Sequence, residues 1–173
     1  SVLQQLEHSR AEVRWNLMVD LGTIDLHGEH LPAQIWLNEA AKARWRVERL
    51  VLQPQADGHW GLVVHGLDSG ESITPHSQTH LLEQEQKRLV SLLPELLEGL
   101  PALSATLHQA KPLGVMRWGA SRPINQPLKP ELQWCPTSAV GFCGDWIDGP
   151  GFGTAEGAIG SGVALAERLH ADR

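Results

Sequence analysis

The sequence contains no tyrosine, which excludes a tyrosyl radical or a tyrosine proton relay. Its two cysteines, Cys135 and Cys143, are too few for a disulfide framework and lack the second pair a zinc site needs. They read as small buried hydrophobes. Basic residues are scarce too, with 14 Lys and Arg against 20 Asp and Glu and a formal net charge of −6. No general basic face follows, so neither nucleic acid nor an anionic membrane is an expected partner. No run approaches the ~20 apolar residues of a membrane span, and SVLQQLEHSRAE lacks the basic, apolar and small-residue regions of a signal peptide. A soluble, cytoplasmic protein is the expectation.

What is present is a chain of 173 residues, long enough to bury about two thirds of its unfolded surface around a real core. Seven tryptophans are spread from Trp15 to Trp146, a distribution that favours core and pocket-wall roles over one stacking platform for single strands.

The first half reads mainly as strands. After a short helix over 2–8, strands are expected at Val13–Leu21, Ala33–Leu37, Arg46–Gln53 and His59–His65, the last bounded by Asp57-Gly58 and Gly66. The period then becomes helical, with Leu82, Leu89, Leu93, Leu96 and Leu100 on one face between Thr74 and Gly99. Thr74 or Ser77 is the expected cap, and Pro94 is expected to kink or split the helix near Leu92. Two more strands, Ser104–Ala110 and Val115–Ala120, precede a proline-dotted surface connection over 123–136. Ala139–Cys143 reads as a buried strand and Thr154–His170 as a helix. The order is not the βαβ alternation of a doubly wound sheet. It predicts an α+β unit, an antiparallel or mixed sheet with a long helix, joined to the last strand and helix of an α/β domain.

Residues 141–169 hold 8 of the 17 glycines and run from strand through glycine turn to helix. Such a turn brings backbone close to a flat or anionic group at a helix N-terminus. The segment contains no Lys, so it is not a P-loop. Nor is it GxGxxG, because Thr154 or Glu156 stands where the last Gly is required. In the helix, Gly157, Gly160, Ser161 and Ala164 form a small-residue stripe and Ile159, Val163, Ala166 and Leu169 an apolar one, so two buried faces are expected. A well-capped terminal helix packed on a sheet is the plainer alternative.

Two motifs carry a resemblance. Gly144-Asp145-Trp146, Ala155-Glu156-Gly157-Ala158, Ser161-Gly162 and Ala164 to Leu169 resemble the C-terminal flavin-binding signature of FAD-dependent amine-oxidase-like proteins, in particular the renalase-like branch. Arg117-Trp118-Gly119-Ala120, with Pro123 after it, resembles the Arg-Trp strand that precedes the final Gly-Asp in that family. The resemblance is strong from about residue 113 onward and loose before it.

The resemblance implies a connecting helix over 1–12, a substrate-binding domain over 13–136, and the closing strand and helix of a FAD domain over 137–173. It implies that Gly144, Asp145 and Trp146 approach the ribityl and pyrophosphate part of FAD, with Asp145 hydrogen-bonding the cofactor chain. Backbone N–H groups near Glu156, Gly157 and Ala158, with Ala155 beside them, would stabilise charge on the reduced flavin. It further implies hydride transfer from a small amine or reduced nicotinamide-type substrate, with O₂ as acceptor. Asp148 to Gly153 is an insertion relative to shorter family versions. The strand and GxGxxG that hold the ADP half are not in these residues, so an N-terminal FAD-binding part is the implied partner and the chain reads as a fragment. A non-catalytic ligand-binding or assembly module on the same scaffold is the alternative.

Other chemistry has little support. His76 and His80 have i, i+4 spacing but no acidic ligand, and His27 and His30 flank Gly28-Glu29 in a polar turn, so no metal site is expected. Ser161 and Cys143 have no predictable base, and no catalytic residue is assigned. Arg117, for an anionic or carbonyl group, and Trp118, as a ring wall, are the substrate-side candidates; an ion pair and a core position are their plainer readings.

Overall fold

A computed structural model describes residues 2–26, 30–68, 70 and 73–171. The fold is α+β, built on a mostly antiparallel five-stranded sheet and one long helix. Its strands are β1 (Ala11–Thr23), β2 (Gln34–Trp36), β3 (Val47–Pro54), β4 (His59–Leu67) and β5 (Lys111–Pro123), in the order β2-β3-β4-β1-β5. The helices are α1 (Val2–Glu7), α2 (Glu39–Trp45), α3 (Gln78–Leu97), α4 (Pro101–Ser104) and α5 (Ala155–Ala171). A small ribbon pairs β6 (Trp134–Cys135) with β7 (Val140–Gly141). The chain divides into two compact units, 14–118 and 1–13 with 119–173. One division falls beside the expected boundary at 12/13; the other falls upstream of the expected 136/137.

In the 14–118 unit, strict alternation along β1 puts Trp15, Leu17, Val19 and Leu21 on one face. Register completes that face, pairing Leu17 with Val64 and Val19 with Leu62, while β3 brings Leu50 to Val64 and Leu52 to Leu62. Leu89, Leu93, Leu96 and Leu97 of α3 and Leu103 of α4 join these residues in one buried cluster. Gly66 permits the approach, since a Cβ there would stand 3.0 Å from the Trp15 carbonyl oxygen.

Four local expectations are corrected. The helix α3 is not split at Pro94 but continues to Leu97; Pro94 opens its last turn, where the one helical hydrogen bond it cannot donate is to the Val90 carbonyl. Ser77 occupies its N-cap without a side-chain cap bond; Thr74 and Ser77 bond each other, each hydroxyl accepting the other's backbone N–H. No strand forms over 104–110, because Pro101 opens α4 and the following N–H groups donate to carbonyls three or four residues back, Ala105 to Pro101 and Ala110 to Thr106. The buried strand expected at Ala139–Cys143 is the two-residue, exposed β7. The helix α2 was not anticipated; the Asn38 side chain caps it by accepting from the Ala41 N–H at 2.9 Å.

In the other unit, the 123–136 stretch is more than a surface connection. Leu128 is buried, its N–H donates to the Trp146 carbonyl at 2.9 Å, and the Asp148 N–H donates back to the Leu128 carbonyl at 2.8 Å. Asn125 fastens the stretch to the chain start, accepting from the Arg10 N–H and donating to the His8 carbonyl. These bonds tie the stretch to the chain start and to the turn at 146–148, within the unit of 1–13 and 119–173. No described helix is long and apolar enough to cross a membrane.

Candidate functional site

The glycine turn and the start of α5 come together within the 119–173 segment. Gly144 adopts φ +150°, and a Cβ there would stand 2.3 Å from Trp146 Nε1, so the turn at this point requires glycine. Ser161, the one residue of α5 that is buried, clamps the turn from the helix side. Its hydroxyl accepts from the Gly144 N–H at 2.8 Å and lies 3.0 Å from the Gly144 carbonyl oxygen and 2.8 Å from that of Ala158.

A second clamp is Gln133, which is buried in the stretch before β6. Its side-chain amide donates to the Phe142 and Ser161 carbonyls, each at 3.1 Å, and its backbone carbonyl accepts from the Phe142 N–H at 2.7 Å. Neither residue stood out as a positioning group in the sequence. Ser161 was marked by the small-residue stripe and by the Ser161-Gly162 pair of the resemblance; nothing marked Gln133.

The clamped turn presents Asp145. Its backbone carbonyl accepts from the Gly153 N–H at 2.7 Å, which folds the 148–153 loop back on the turn. The residue is half-buried, and its carboxylate has no hydrogen-bond partner among the described residues. Trp146 packs edge-on against Phe142 with ring centroids 6.1 Å apart.

At the helix start, Thr154 engages groups expected to face a cofactor. Its Oγ1 accepts from the Gly157 N–H at 3.2 Å and its carbonyl from the Ala158 N–H at 3.1 Å. The Glu156 backbone N–H and the Thr154 hydroxyl hold the Glu156 carboxyl below the usual carboxylate range. Glu156 thus already places a negative charge at the helix mouth. Ala155 and Glu156 are exposed, whereas Gly157 and Ala158 are half-buried under the loop.

The expected pair of buried helix faces is corrected to one. Ser161, Leu165 and Leu169 turn inward, with Leu165 so near the ribbon that a Cβ on Gly141 would meet it at 2.8 Å. Ile159 and Val163 are 69% and 53% exposed, because no other described element of this unit covers their side of α5. The cysteines are corrected as well, since Cys135 is half-buried and Cys143 exposed, both in the surface ribbon and turn.

In the 14–118 unit, the Arg117 guanidinium lies over the Trp15 ring, 5.7 Å from its centroid, and Trp118 is 51% exposed. Arg117 therefore stacks where an ion pair was the plainer reading, and Trp118 is not a core residue. His76 and His80 are exposed at the start of α3 and His30 is exposed beside a loop; His27, Gly28 and Glu29 lie outside the described residues.

Removing the clamp tests its local worth. Ser161→Ala deprives a part-buried N–H and carbonyl of their partner and is expected to cost about 1–2 kcal/mol by urea unfolding. A change within error would mean that the hydroxyl does not hold the turn. No protein-family model and no curated protein sequence matches this chain.

Proposed function

We propose that these residues form the substrate-side sheet and the closing part of the FAD site of an amine-oxidase-like, renalase-like flavoprotein. The reaction is hydride transfer from a small amine or reduced nicotinamide-type substrate to the flavin, with O₂ as acceptor. One observation carries the reading. Asp145 is a half-buried residue whose carboxylate has no partner among the described residues, on a turn that Ser161 and Gln133 fix against a helix start.

The residues fit the ribityl and pyrimidine side of FAD. A carboxylate is an acceptor for hydroxyl groups and accepts several at once. A turn held by buried hydrogen bonds presents it without an ordering cost at binding. Bound FAD supplies the two-electron chemistry; the chain supplies orientation and electrostatics. At the helix mouth, Ala155 and Glu156 remain accessible, and Thr154 keeps the following N–H groups in line. The uncovered Ile159 and Val163 suit packing against the remainder of a FAD domain, the partner this reading requires. Arg117 and Trp118 are the proposed substrate-side residues.

Asp145→Ala tests this directly. A hydrogen bond to a charged group is worth about 1.5–3 kcal/mol, so FAD affinity of the flavin-loaded gene product is expected to fall about 10- to 100-fold. Asp145→Asn, which keeps an acceptor, is expected to fall less. Unchanged FAD retention in a folded Asp145→Ala protein would contradict the assignment.

A further inference from the structure

The sheet face opposite α3 carries an arrangement that the flavin reading leaves unused. β1 and β4 pair evenly from Arg14↔Leu67 to Asp20↔Gly61, and then slip so that the next pair is Thr23↔His59. β1 thereby holds one extra residue. Gly22, at φ +70°, absorbs it, and its N–H donates to Asp20 Oδ1 at 2.8 Å. Such bulges re-aim a side chain, and here Asp20 is turned across to β4. His59 Nδ1 lies 3.0 and 3.3 Å from the two Asp20 oxygens.

The bulge also fixes what the imidazole can do. The Gly22 N–H, and then His59, hold the Asp20 carboxyl below the usual carboxylate range, so it is an acceptor only. Nδ1 must then carry the hydrogen, which leaves Nε2 of neutral His59 as an acceptor. The His59 side chain is 42% exposed and can be reached.

Both residues line a cleft of about 550 Å³, within the size range of small-molecule sites. Met18, Val63 and Leu113 supply its apolar wall on this face, while Trp60 alternates to the α3 side and packs against the core. A thioether beside two aliphatic side chains suits a flat aromatic body. Among the described residues the lining has Asp20 and Asp57 but no lysine or arginine, which disfavours an anion.

We propose that the Asp20–His59 pair and this cleft form a binding site for a neutral aromatic hydroxyl compound, whose O–H donates to His59 Nε2 while its ring lies against Met18, Val63 and Leu113. The site uses no residue of the glycine turn or α5, so it stands or falls independently of the flavin reading.

The test is calorimetric titration of the 173-residue chain with 2-naphthol, 2-methoxynaphthalene and 2-naphthylmethylammonium, followed by ¹⁵N spectra of the labelled histidines. The expected result is binding of 2-naphthol at least about tenfold tighter than either of the others, with the largest imidazole shift at His59. His59→Phe is expected to abolish that preference, and Asp20→Asn to reduce it. Three results would overturn the proposal: equal binding of the methyl ether, tighter binding of the ammonium, or no binding of 2-naphthol by the unaltered chain. The comparison among probes needs no variant, so misfolding of a substituted chain leaves it decisive.

Discussion

Gly157→Ala is expected to destabilise the protein by about 3 kcal/mol, while Gly160→Ala, one turn further along the same helix, is expected to stabilise it by about 0.5–1 kcal/mol. A Cβ on Gly157 would stand 2.1 Å from the Gly151 carbonyl oxygen and 2.6 Å from its carbon. These are backbone atoms, so no side-chain rotation relieves the clash. Either the 148–153 loop lifts from the helix, or the helix start unwinds. At Gly160 nothing lies within 4 Å, and alanine gains only its better helix propensity. Urea unfolding followed by tryptophan fluorescence compares the two, with Trp146 as a reporter beside the turn. Equal midpoints for the two variants would mean that loop and helix are not in contact. Loop lifting would also displace Asp145, whose carbonyl holds the Gly153 N–H, so flavin retention is expected to fall with stability.

Leu17→Ala is expected to cost about 3–5 kcal/mol, the upper range for a leucine removed from a closed core. Leu17 is fully buried at the centre of β1, opposite Val64 and within the cluster that α3 covers. Domains of this size have only about 5–15 kcal/mol in total, so the variant should approach the limit of folding at 37 °C. Its neighbour Met18 is half-buried and points to the other face of the sheet, and Met18→Ala is expected to cost about 1 kcal/mol. The contrast measures the alternation itself. Similar losses at the two positions, read from urea midpoints, would contradict the facing assigned to β1.

The main sheet was legible because alternation is local. Trp15, Leu17, Val19 and Leu21 declare one face without reference to any other strand, and the α3 leucines do the same at helical spacing. Short elements were not legible in this way. The helix α2 depends on Asn38 as its cap and on Arg46 in the left-handed region as its stop, two signals without a long apolar period between them. Over 104–110, chain-local hydrogen bonds set by Pro101 decided against a strand. Ala139–Cys143 is apolar enough for a buried strand, but the ribbon it joins has only one partner and leaves Val140 exposed.

The candidate site divides along the same line. Glycines and a helix start mark where the turn lies, and the resemblance is what named Gly144, Asp145, Glu156 and Gly157 as its site candidates. The clamping roles of Ser161 and Gln133 were not legible, since they lie in contacts made far along the chain. Ser161 bonds Gly144 across 17 residues, and Gln133 bonds Ser161 across 28. The same separation hid the Asp20–His59 pair, which forms across 39 residues after a one-residue slip in register. Residue type and spacing mark where backbone must be unusual. They do not mark which distant polar group satisfies it.

The flavin content of the gene product that contains these residues bears most directly on the proposed function. After native purification, absorbance in the visible flavin band and chromatography of the released cofactor are expected to give stoichiometric FAD, with Asp145→Ala losing most of it. A folded, natively purified protein that holds no flavin, even after incubation with excess FAD, would contradict the reading.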